Sequence, residues 1–399
     1  MKILFSHTPP DLYGASRSLL RLTSRLAKDG HQVRVILGAD GPLRAKLEAA
    51  GIEVKVHPRL AVADRRTSKD VFGIIGLLVS FCVSTAYFWG VYSRFRPDIV
   101  HTNTALILTP GLVAKLRGIP HVWHVREVFS DVPGWWRWYQ WYVVFFATQI
   151  VCISKTVASQ FSSRIGPGKI VVVYNGLPES EFSSVPPERI RAFRELYQLD
   201  GKSFVGLVGR IKLGRKGQDI LLHAANELAI RFPDARFLMI GSPFPGNEAH
   251  LERLQALIRE SGLQKHVICT GDVEDIQAAY ASLNISVQAS VLPEAFGGVI
   301  VESMAMGKPT VGTTNGGNRE QIVDGVTGYL VPPGVASDLA AALAKLLSDP
   351  ALCERLGQNG RARFLSEFEF EPFYRRIIAL YFSCLRSAGA GEVEKVPAA

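Results

Sequence analysis

Residues 293–305 read PEAFGGVIVESMA: a turn dipeptide and an acid, then two glycines, then an apolar stretch with helical periodicity. Gly297 and Gly298 let the backbone come close to a ligand, and a helix that starts there presents unpaired N–H groups and a positive dipole end. Glu294 and Glu302 can accept hydrogen bonds from hydroxyl groups on either side of a bound phosphate. The stretch therefore predicts a βα turn that binds a diphosphate between two polyols, as in a nucleotide sugar. The alternative is an ordinary amphipathic helix with an N-capping acid.

Length and composition predict two globular domains. The 399 residues allow each domain to bury its own core, and 47% hydrophobic with 20% charged residues is ordinary for a globular chain. The cysteines are scattered, which indicates reduced thiols and argues against a zinc site or a disulfide framework; they are Cys82, Cys152, Cys269, Cys353 and Cys384. Residues 1–5 are typical of a first strand rather than of a secretory signal, so we expect a cytoplasmic protein.

Basic residues are concentrated in the first half of the chain. Residues 1–175 hold 22 of the 45 Lys and Arg residues but only 10 of the 36 Asp and Glu residues. This imbalance indicates an anionic partner, such as a membrane face or a phosphorylated acceptor, or merely a basic solvated surface. The charges are dispersed, so we expect no nucleic acid partner.

Short strands rich in Val and Ile alternate with helical stretches along both halves. This pattern is typical of parallel strands joined by helical crossovers in a doubly wound sheet. The predicted strands of the first half are Lys2–His7, His31–Leu37, Glu53–His57, Asp98–Asn103, His121–Val125, Gln149–Ser154 and Ile170–Asn175. Those of the second half are Phe204–Gly209, Arg236–Ile240, Val267–Thr270, Ile285–Ala289, Pro309–Gly312 and Tyr329–Val331.

A stretch rich in Pro and Ser between Asn175 and Arg189 predicts a linker. We therefore expect a first domain at residues 1–178 and a second at 188–368. Residues 371–386 predict a closing amphipathic helix, and residues 387–399 a disordered tail.

The first predicted βα turn reads PPDLYGAS at residues 9–16. It is not G-x-G-x-x-G, and no acid follows the second strand in the dinucleotide arrangement, which argues against a nicotinamide enzyme. Gly14 and Ala15 leave room for a ligand phosphate at the start of the helix, or simply form a tight turn.

Two apolar stretches of the first half are candidates for membrane contact. Residues 71–92 contain no charged residue and are long enough to span a bilayer, but small residues dilute the stretch and a crossing there would split the sheet. We expect a helix that is partly core and partly membrane-facing, with a spanning or a fully buried helix as alternatives. Residues 135–146 crowd eight aromatic side chains onto one short helix, which favours the membrane interface, an aromatic core patch or an acceptor groove.

Three more residues are candidates for site chemistry. His124 lies near the C-terminal end of a predicted strand, where open α/β sheets bind ligands, although a lone histidine is often structural. Arg210 and Lys216 lie in a glycine-bounded loop at residues 209–217. A guanidinium fork and a compact ammonium together suit a diphosphate, and solvated loop charges are the alternative.

Taken together, these motifs resemble the retaining family 4 glycosyltransferases of GT-B fold. The resemblance covers most of the chain and is most specific in the second half. In chain order it comprises Gly209-Arg210, Lys216-Gly217, Gly271–Val273 with Tyr280, Glu294–Glu302, Gly316-Gly317, Glu320 and Asp324–Gly328. It implies two Rossmann-like, doubly wound domains that face a cleft, with a C-terminal helix that crosses back to the N-terminal domain. One departure is Tyr13, which stands where the family often has the first glycine of the first loop.

The resemblance also implies roles for particular residues. Arg210 and Lys216 would hold the diphosphate and stabilise its leaving charge in place of a metal ion, and no cofactor is expected. The implied catalytic residues are His124, Arg210, Lys216 and Glu294. The implied substrate-binding residues are Gly14, Ala15, Arg210, Lys216, Asp272, Val273, Glu294, Phe296, Gly297, Gly298, Val299 and Glu302. Among them Glu302 would bind the ribose, Asp272 and Val273 the base, and His124 would lie beside the transferred sugar.

The resulting hypothesis is a retaining, metal-independent glycosyltransferase. It would move a sugar from a nucleotide-diphosphate sugar to a carbohydrate or lipid-linked acceptor at the inner face of the plasma membrane, with peripheral contact through residues 71–92 and 135–146. The alternatives are a GT-B-like sugar-nucleotide epimerase, a catalytically inactive nucleotide-sugar-binding protein and an integral membrane protein.

Overall fold

A computed structural model describes residues 1–63, 71–130, 132–166, 168–182, 184–199 and 203–387. These residues form two compact units, residues 1–175 with the chain from Phe373 onward, and residues 176–372. The strands of the first unit are β1 Lys2–His7, β2 Gln32–Leu37, β3 Glu53–Val56, β4 Ile99–Thr102, β5 His121–Val125, β6 Gln149–Cys152 and β7 Ile170–Val172. Its helices are α1 Gly14–Lys28, α2 Pro42–Ala49, α3 Val71–Phe95, α4 Thr109–Leu116, α5 Pro133–Phe146 and α6 Lys155–Ser159.

The described strands of the first unit pair in parallel in the order β3-β2-β1-β4-β5-β6-β7. The central strands β4 and β5 are buried along their whole length, and β1 is buried except at Lys2, because helices cover both faces of the sheet, as the runs of apolar residues predict. The order reverses between β1 and β4, so the carboxyl ends of β1, β4 and β5 meet at the crevice where such sheets bind ligands.

The second unit begins with a 3₁₀ turn at Glu179–Glu181 and ends in a π turn at Phe364–Phe368 that leads into the last helix. Its strands are β8 Ser203–Val208, β9 Ala235–Ile240, β10 Val267–Gly271, β11 Ile285–Gln288, β12 Thr310–Thr313 and β13 Gly328–Val331. Its helices are α7 Pro187–Leu196, α8 Gln218–Ala229, α9 Ala249–Glu260, α10 Ile276–Ser282, α11 Gly298–Ala305, α12 Asn318–Gln321, α13 Ala336–Ser348 and α14 Pro350–Arg363. The parallel order of the described strands is β10-β9-β8-β11-β12-β13. The predicted α/β class with two Rossmann-like sheets is confirmed.

The last helix, α15 at Phe370–Ser387, belongs mostly to the first unit. The hydroxyl of Tyr374 donates to Asp29 Oδ2 at 2.5 Å, and Arg25 lies 4.6 Å from the Tyr374 ring centre. Tyr381 is fully buried. The predicted helix at 371–386 is therefore present, and it completes the core of the first unit.

Part of the expected linker is folded. Leu177 and Phe182 are buried in the second unit, and the Leu177 N–H donates to the Phe368 carbonyl at 3.0 Å. Pro and Ser predicted a linker here, and the two apolar residues among them anchor the chain to the second unit. Of the expected tail, Ser387 ends α15, and residues 388–399 lie outside the described residues.

Helix α3 has two unlike halves. No residue from Val71 to Val83 is buried, whereas Phe88, Val91 and Tyr92 pack into the core of the first unit. Within the described residues, α3 is the helix that is long and apolar enough to cross a bilayer, judged by length and composition alone. Its second half is held in a folded core, whereas its first half is exposed or half-buried.

One side of helix α5 is buried and the other side is exposed. Trp136 and Tyr139 are buried, while Trp138, Trp141 and Phe145 are exposed. Because α4 packs against both α3 and α5, the exposed sides of these helices belong to one layer of the first unit. The aromatic stretch is therefore both a core patch and an aromatic surface.

Candidate active site

The basic loop and the glycine-rich stretch of the second unit lie at the carboxyl ends of neighbouring strands. Residues 209–217 follow β8, and residues 289–297 follow β11. The strand order reverses between β8 and β11, which is the switch point where open α/β sheets form a ligand crevice. The fold thus brings together two stretches that are about 80 residues apart in the sequence.

The two loops are packed against each other through backbone atoms. Gly217 has φ +79°, and a Cβ there would collide with the carbonyl oxygen of Ala289. The Val291 N–H donates to the Arg215 carbonyl at 2.9 Å. Only glycine fits at residue 217, so this position fixes where the basic loop sits.

An ion pair joins the loops at the crevice. Lys216 Nζ lies 2.7 Å from Glu294 Oε1, and the two side chains are 30% and 18% exposed. The hydroxyl of Ser290 donates to the same oxygen at 2.9 Å. Arg210 lies over the ring of Phe244 at 4.4 Å. Cation and carboxylate therefore stand side by side, each still reachable from solvent.

Helix α11 starts at Gly298, as the glycine pair predicts. Gln321 holds the preceding residue, accepting from the Gly297 N–H at 3.2 Å and donating to the Gly297 carbonyl at 3.0 Å. Gly298 is exposed, and a Cβ there would meet no described atom within 4 Å. Val299 next to it is half-buried, and the Phe296 ring packs against Phe368 at 5.9 Å. The first turn of α11 thus presents open backbone at its positive end.

A hydrogen bond orients Glu302, the acidic residue of α11. The hydroxyl of the buried Tyr280 donates to Glu302 Oε2 at 2.7 Å. Glu302 follows Gly298 by four residues and so lies on the same side of the helix. The remaining predicted positions follow β10: exposed Asp272 accepts from the Ser242 N–H at 3.0 Å, and Val273 is half-buried.

The predicted site residues of the first unit also lie together. Gly14 and Ala15 open α1, with Tyr13 as the exposed N-cap, and a Cβ at Gly14 would meet no described atom within 4 Å. His124, on β5, is fully buried. Asn103 connects the two places, because its amide donates to the Ala15 carbonyl at 3.4 Å and accepts from Arg126 Nε at 2.9 Å.

A buried polar network surrounds His124. Its Nδ1 lies 3.2 Å from His101 Nε2 and 3.4 Å from Arg126 Nη2. Burial, followed by the charge of Arg126, holds the pKa of both imidazoles well below the usual value. Burial also lowers the pKa of Arg126 itself to about 10. Both rings are therefore neutral at physiological pH.

The predicted site residues fall into two groups, one in each unit. Those of the second unit combine cations, carboxylates and an open helix start, which suits a phosphorylated sugar or nucleotide. Among the described residues, no cluster of three or more His, Cys, Asp or Glu has the arrangement of a metal site. Sequence reasoning did not identify His101, Arg126 or Tyr381 as members of the first group. The available signal was that His101 and His124 lie on adjacent strands with their side chains on the same face, because His101 pairs with Val122 and His124 is two residues further along.

Comparisons with known proteins agree with this geometry. The glycosyl transferases group 1 family matches residues 189–363, and glycosyltransferase family 4 matches residues 13–181. The chain is 32% identical over 402 residues to phosphatidyl-myo-inositol mannosyltransferase of Mycobacterium leprae, an alignment that covers 95% of this chain and 96% of that protein.

A second relative is the GDP-mannose-dependent alpha-(1-6)-phosphatidylinositol monomannoside mannosyltransferase of Mycolicibacterium smegmatis. It is 29% identical over 243 residues, which cover 59% of this chain and 62% of the relative. Among solved structures, Anabaena Alr3699/HepE in complex with UDP and glucose superimposes with a TM-score of 0.83 at 25% identity, covering 96% of this chain and all of that one. The chain therefore belongs to the family 4, group 1 glycosyltransferases of GT-B fold.

Proposed function

We propose that this protein is a retaining, metal-independent glycosyltransferase that moves a sugar from a nucleotide-diphosphate sugar to a carbohydrate or lipid-linked acceptor at the cytoplasmic face of a membrane. The observation that carries the proposal is the Lys216–Glu294 pair beside the open first turn of α11. The similar Anabaena structure holds UDP and glucose, which supports a donor of this chemical class.

The diphosphate is assigned to the start of α11 and the basic loop. The helix start offers N–H groups and partial positive charge, and Gly298 leaves the approach to them open. Lys216 adds a full charge, and the guanidinium of Arg210 adds a planar pair of donors. In this proposal these groups, and not a metal ion, offset the charge of the diphosphate.

The two carboxylates are assigned to the hydroxyl groups on either side. Glu294 precedes the helix and is positioned by Lys216 and Ser290, so it suits the transferred sugar. Glu302 lies one turn into the helix and is oriented by Tyr280, so it suits the ribose. A carboxylate accepts several hydrogen bonds, which leaves capacity for substrate beside these protein donors.

The same contacts bear on the mechanism. When the bond from the sugar to the diphosphate breaks, negative charge grows on the leaving phosphate, and Lys216 and Arg210 stabilise it. Glu294 is paired with a cation and a hydroxyl on Oε1, which weakens it as a nucleophile. We therefore favour front-face attack by the acceptor hydroxyl, assisted by the leaving phosphate, with retention at the anomeric carbon. Inversion in the product's NMR spectrum, or loss of transfer in EDTA that added metal restores, would contradict this mechanism.

A surface of the first unit suits an anionic membrane. The first half of α3 exposes apolar side chains such as Phe72, Ile75 and Leu78, with Phe72 84% exposed. On α5, Trp138 is 71% exposed. Basic side chains lie among the aromatic ones: Arg117 is 4.2 Å from the centre of the Trp89 ring, and Lys115 is 3.7 Å from that of Phe145. Aromatic rings with basic neighbours are typical of proteins that lie at a negatively charged lipid interface.

The length of the free part of α3 favours interfacial contact over a crossing. Residues 71–83 would extend about 20 Å at 1.5 Å per residue. The hydrocarbon layer of a bilayer is about 30 Å thick. The rest of α3 is anchored by Phe88 and Tyr92 in the core, so a crossing would require that core to open.

Donor binding is tested by thermal unfolding with UDP, GDP, ADP and their sugars. Ligand at about 100 times its dissociation constant adds roughly 2.7 kcal/mol, which is a measurable shift. We expect one nucleotide to raise the midpoint for wild type and for Lys212→Ala, an exposed lysine of the same loop, but not for Arg210→Ala. The absence of a shift with every nucleotide would refute the donor site, and turnover of the donor without an acceptor would favour the epimerase.

Membrane contact is tested by flotation with vesicles of anionic and of zwitterionic lipid. Burying Phe72 and Leu78 stabilises binding by about 1.5–3 kcal/mol each, so the double change to Asp should weaken it at least about 100-fold. The matched control is Ile230→Asp, which changes a 91% exposed apolar residue of the second unit and should have no effect. Release of wild type by carbonate is expected, and retention would indicate an integral protein.

A further inference from the structure

One nitrogen of the His124 ring has no hydrogen-bond partner within the described residues. That atom is Nε2, and it is buried. The other ring nitrogen, Nδ1, lies near two groups, His101 Nε2 at 3.2 Å and Arg126 Nη2 at 3.4 Å. In a neutral imidazole one nitrogen donates and the other accepts, so these contacts decide what Nε2 can do.

Arg126 determines the state of Nδ1. A guanidinium only donates hydrogen bonds, so the nitrogen that faces it must accept. The orientation of Arg126 is fixed by three further bonds, from Nε to Asn103 at 2.9 Å, from Nη1 to Asn175 at 2.8 Å and from Nη2 to Ser18 at 3.1 Å. Nδ1 of His124 therefore carries no proton, and the ring proton sits on Nε2.

The contacts of His101 and Tyr381 complete the same pattern of hydrogen bonds. Since His124 Nδ1 accepts, His101 must donate from Nε2, and its own Nδ1 must accept in turn. The hydroxyl of Tyr381 lies 2.6 Å from His101 Nδ1 and supplies the proton for that bond. All three side chains are fully buried, and Phe5 packs on the His101 ring at 4.7 Å. The chain of donors thus runs from Tyr381 through His101 to His124.

We propose that His101, held by Tyr381, acts with Arg126 to fix His124 in the Nε2–H form, so that His124 acts toward a bound substrate as a hydrogen-bond donor and not as a base. His101, Arg126 and Tyr381 are positioning residues in this scheme. The role in transfer rests on the proposed function, whereas the protonation pattern does not. A donor on this ring stabilises an oxygen of a bound substrate, and deprotonation of the acceptor falls to another group, such as the leaving phosphate.

The protonation pattern is measured directly on the full chain. Long-range ¹H–¹⁵N correlation spectra of histidine-labelled protein at pH 7.5 separate Nδ1–H from Nε2–H rings, and His124→Gln assigns the His124 signal. We expect His124 and His101 both as Nε2–H rings. A proton on Nδ1 of His124 would overturn the proposal, with no variant needed and no donor present. Failure of nucleotide binding in the thermal assay would refute the proposed function alone.

Two pairs of variants test the consequence for transfer. Gln at position 124 keeps an N–H near the place of Nε2, whereas Glu of the same size can act as a base but donates nothing when ionised. We expect H124Q to keep at least about tenfold more kcat than H124E. Higher activity of H124E would show that His124 is a base.

Tyr381→Phe tests the positioning. Loss of one hydrogen bond of about 1 kcal/mol should lower kcat about fivefold with KM for the donor within twofold, and should shift the His124 nitrogen signals. The control is Tyr374→Phe, on the same helix but bonded to Asp29, which should leave those signals unchanged. Unchanged His124 signals and kcat in Y381F would remove Tyr381 from the scheme.

Discussion

Mild acid should unfold the first unit of this glycosyltransferase. Four of its histidines, His7, His101, His121 and His124, are buried. Burial lowers the pKa of His7 to about 3 and that of His121 to about 4, and it holds those of His101 and His124 well below the usual value. The perturbation is a change of buffer from pH 7.5 to pH 5.5.

The size of the effect follows from proton linkage. In the unfolded chain these imidazoles bind protons near pH 6.5, whereas in the folded unit they stay neutral, so the free energy of unfolding falls as the pH drops below 6.5. At pH 5.5 each ring costs about 1.4 kcal/mol, and the four together about 6 kcal/mol. A domain has only about 5–15 kcal/mol of stability in total. Below about pH 4 the loss levels off for His121, because the folded ring then binds a proton too.

Tryptophan fluorescence isolates this unit, since all six tryptophans lie between residues 89 and 141. Urea unfolding would be followed at pH 7.5, 6.5 and 5.5. His121→Gln should reduce the difference between pH 7.5 and pH 5.5 by about 1.4 kcal/mol. His223→Gln, an exposed site of the second unit, should leave it unchanged. A pH dependence equivalent to fewer than two protons between pH 6.5 and 5.5 would refute the reasoning.

Three further predictions concern the second unit. Gly316 has φ +56°, and a Cβ there would collide with the Glu294 carbonyl. Gly316→Ala should therefore weaken nucleotide binding in a calorimetric titration. It should also cost more stability than Gly325→Ala, where φ is +71° but the space is open. Equal losses of stability in the two variants would show that backbone strain alone, and not the collision at Gly316, determines the effect. Tyr280→Phe should weaken nucleotide affinity about fivefold, because the hydrogen bond that orients Glu302 is lost. Unchanged affinity would remove Glu302 from the ribose site. Transfer rates should be the same with and without EDTA.

Much of the fold was predictable because parallel strands that are buried on both faces consist of short runs of Val and Ile. Lys2–His7 and His121–Val125 were predicted at the bounds that the structure has, and the other predicted strands match within a few residues. The glycine pair at the start of α11 was predictable for a related reason. An open helix start needs small residues at fixed positions, and Gly297 and Gly298 are visible in the sequence at those positions.

Contacts between distant segments were harder to predict. Nothing in the local sequence around Lys216 indicates that its partner is Glu294, because the pairing depends on β8 and β11 being neighbours. The role of Tyr381 is further removed, since its hydroxyl meets His101 across 280 residues. In the predicted linker the Pro and Ser residues were visible in the sequence, whereas the anchoring of Leu177 depends on a hydrogen bond to the distant Phe368 carbonyl.

The division of the chain also has a consequence for synthesis. The second unit is one continuous segment, residues 176–372, whereas the first is completed only by the helix that follows it. A ribosome delivers residues 1–175 first, yet their core lacks Tyr381 until nearly the whole chain has emerged. We therefore expect the second unit to reach its final form first, while the earlier-made part waits with its aromatic surface exposed. During that interval we expect chaperones or a nearby membrane to cover the exposed aromatic residues.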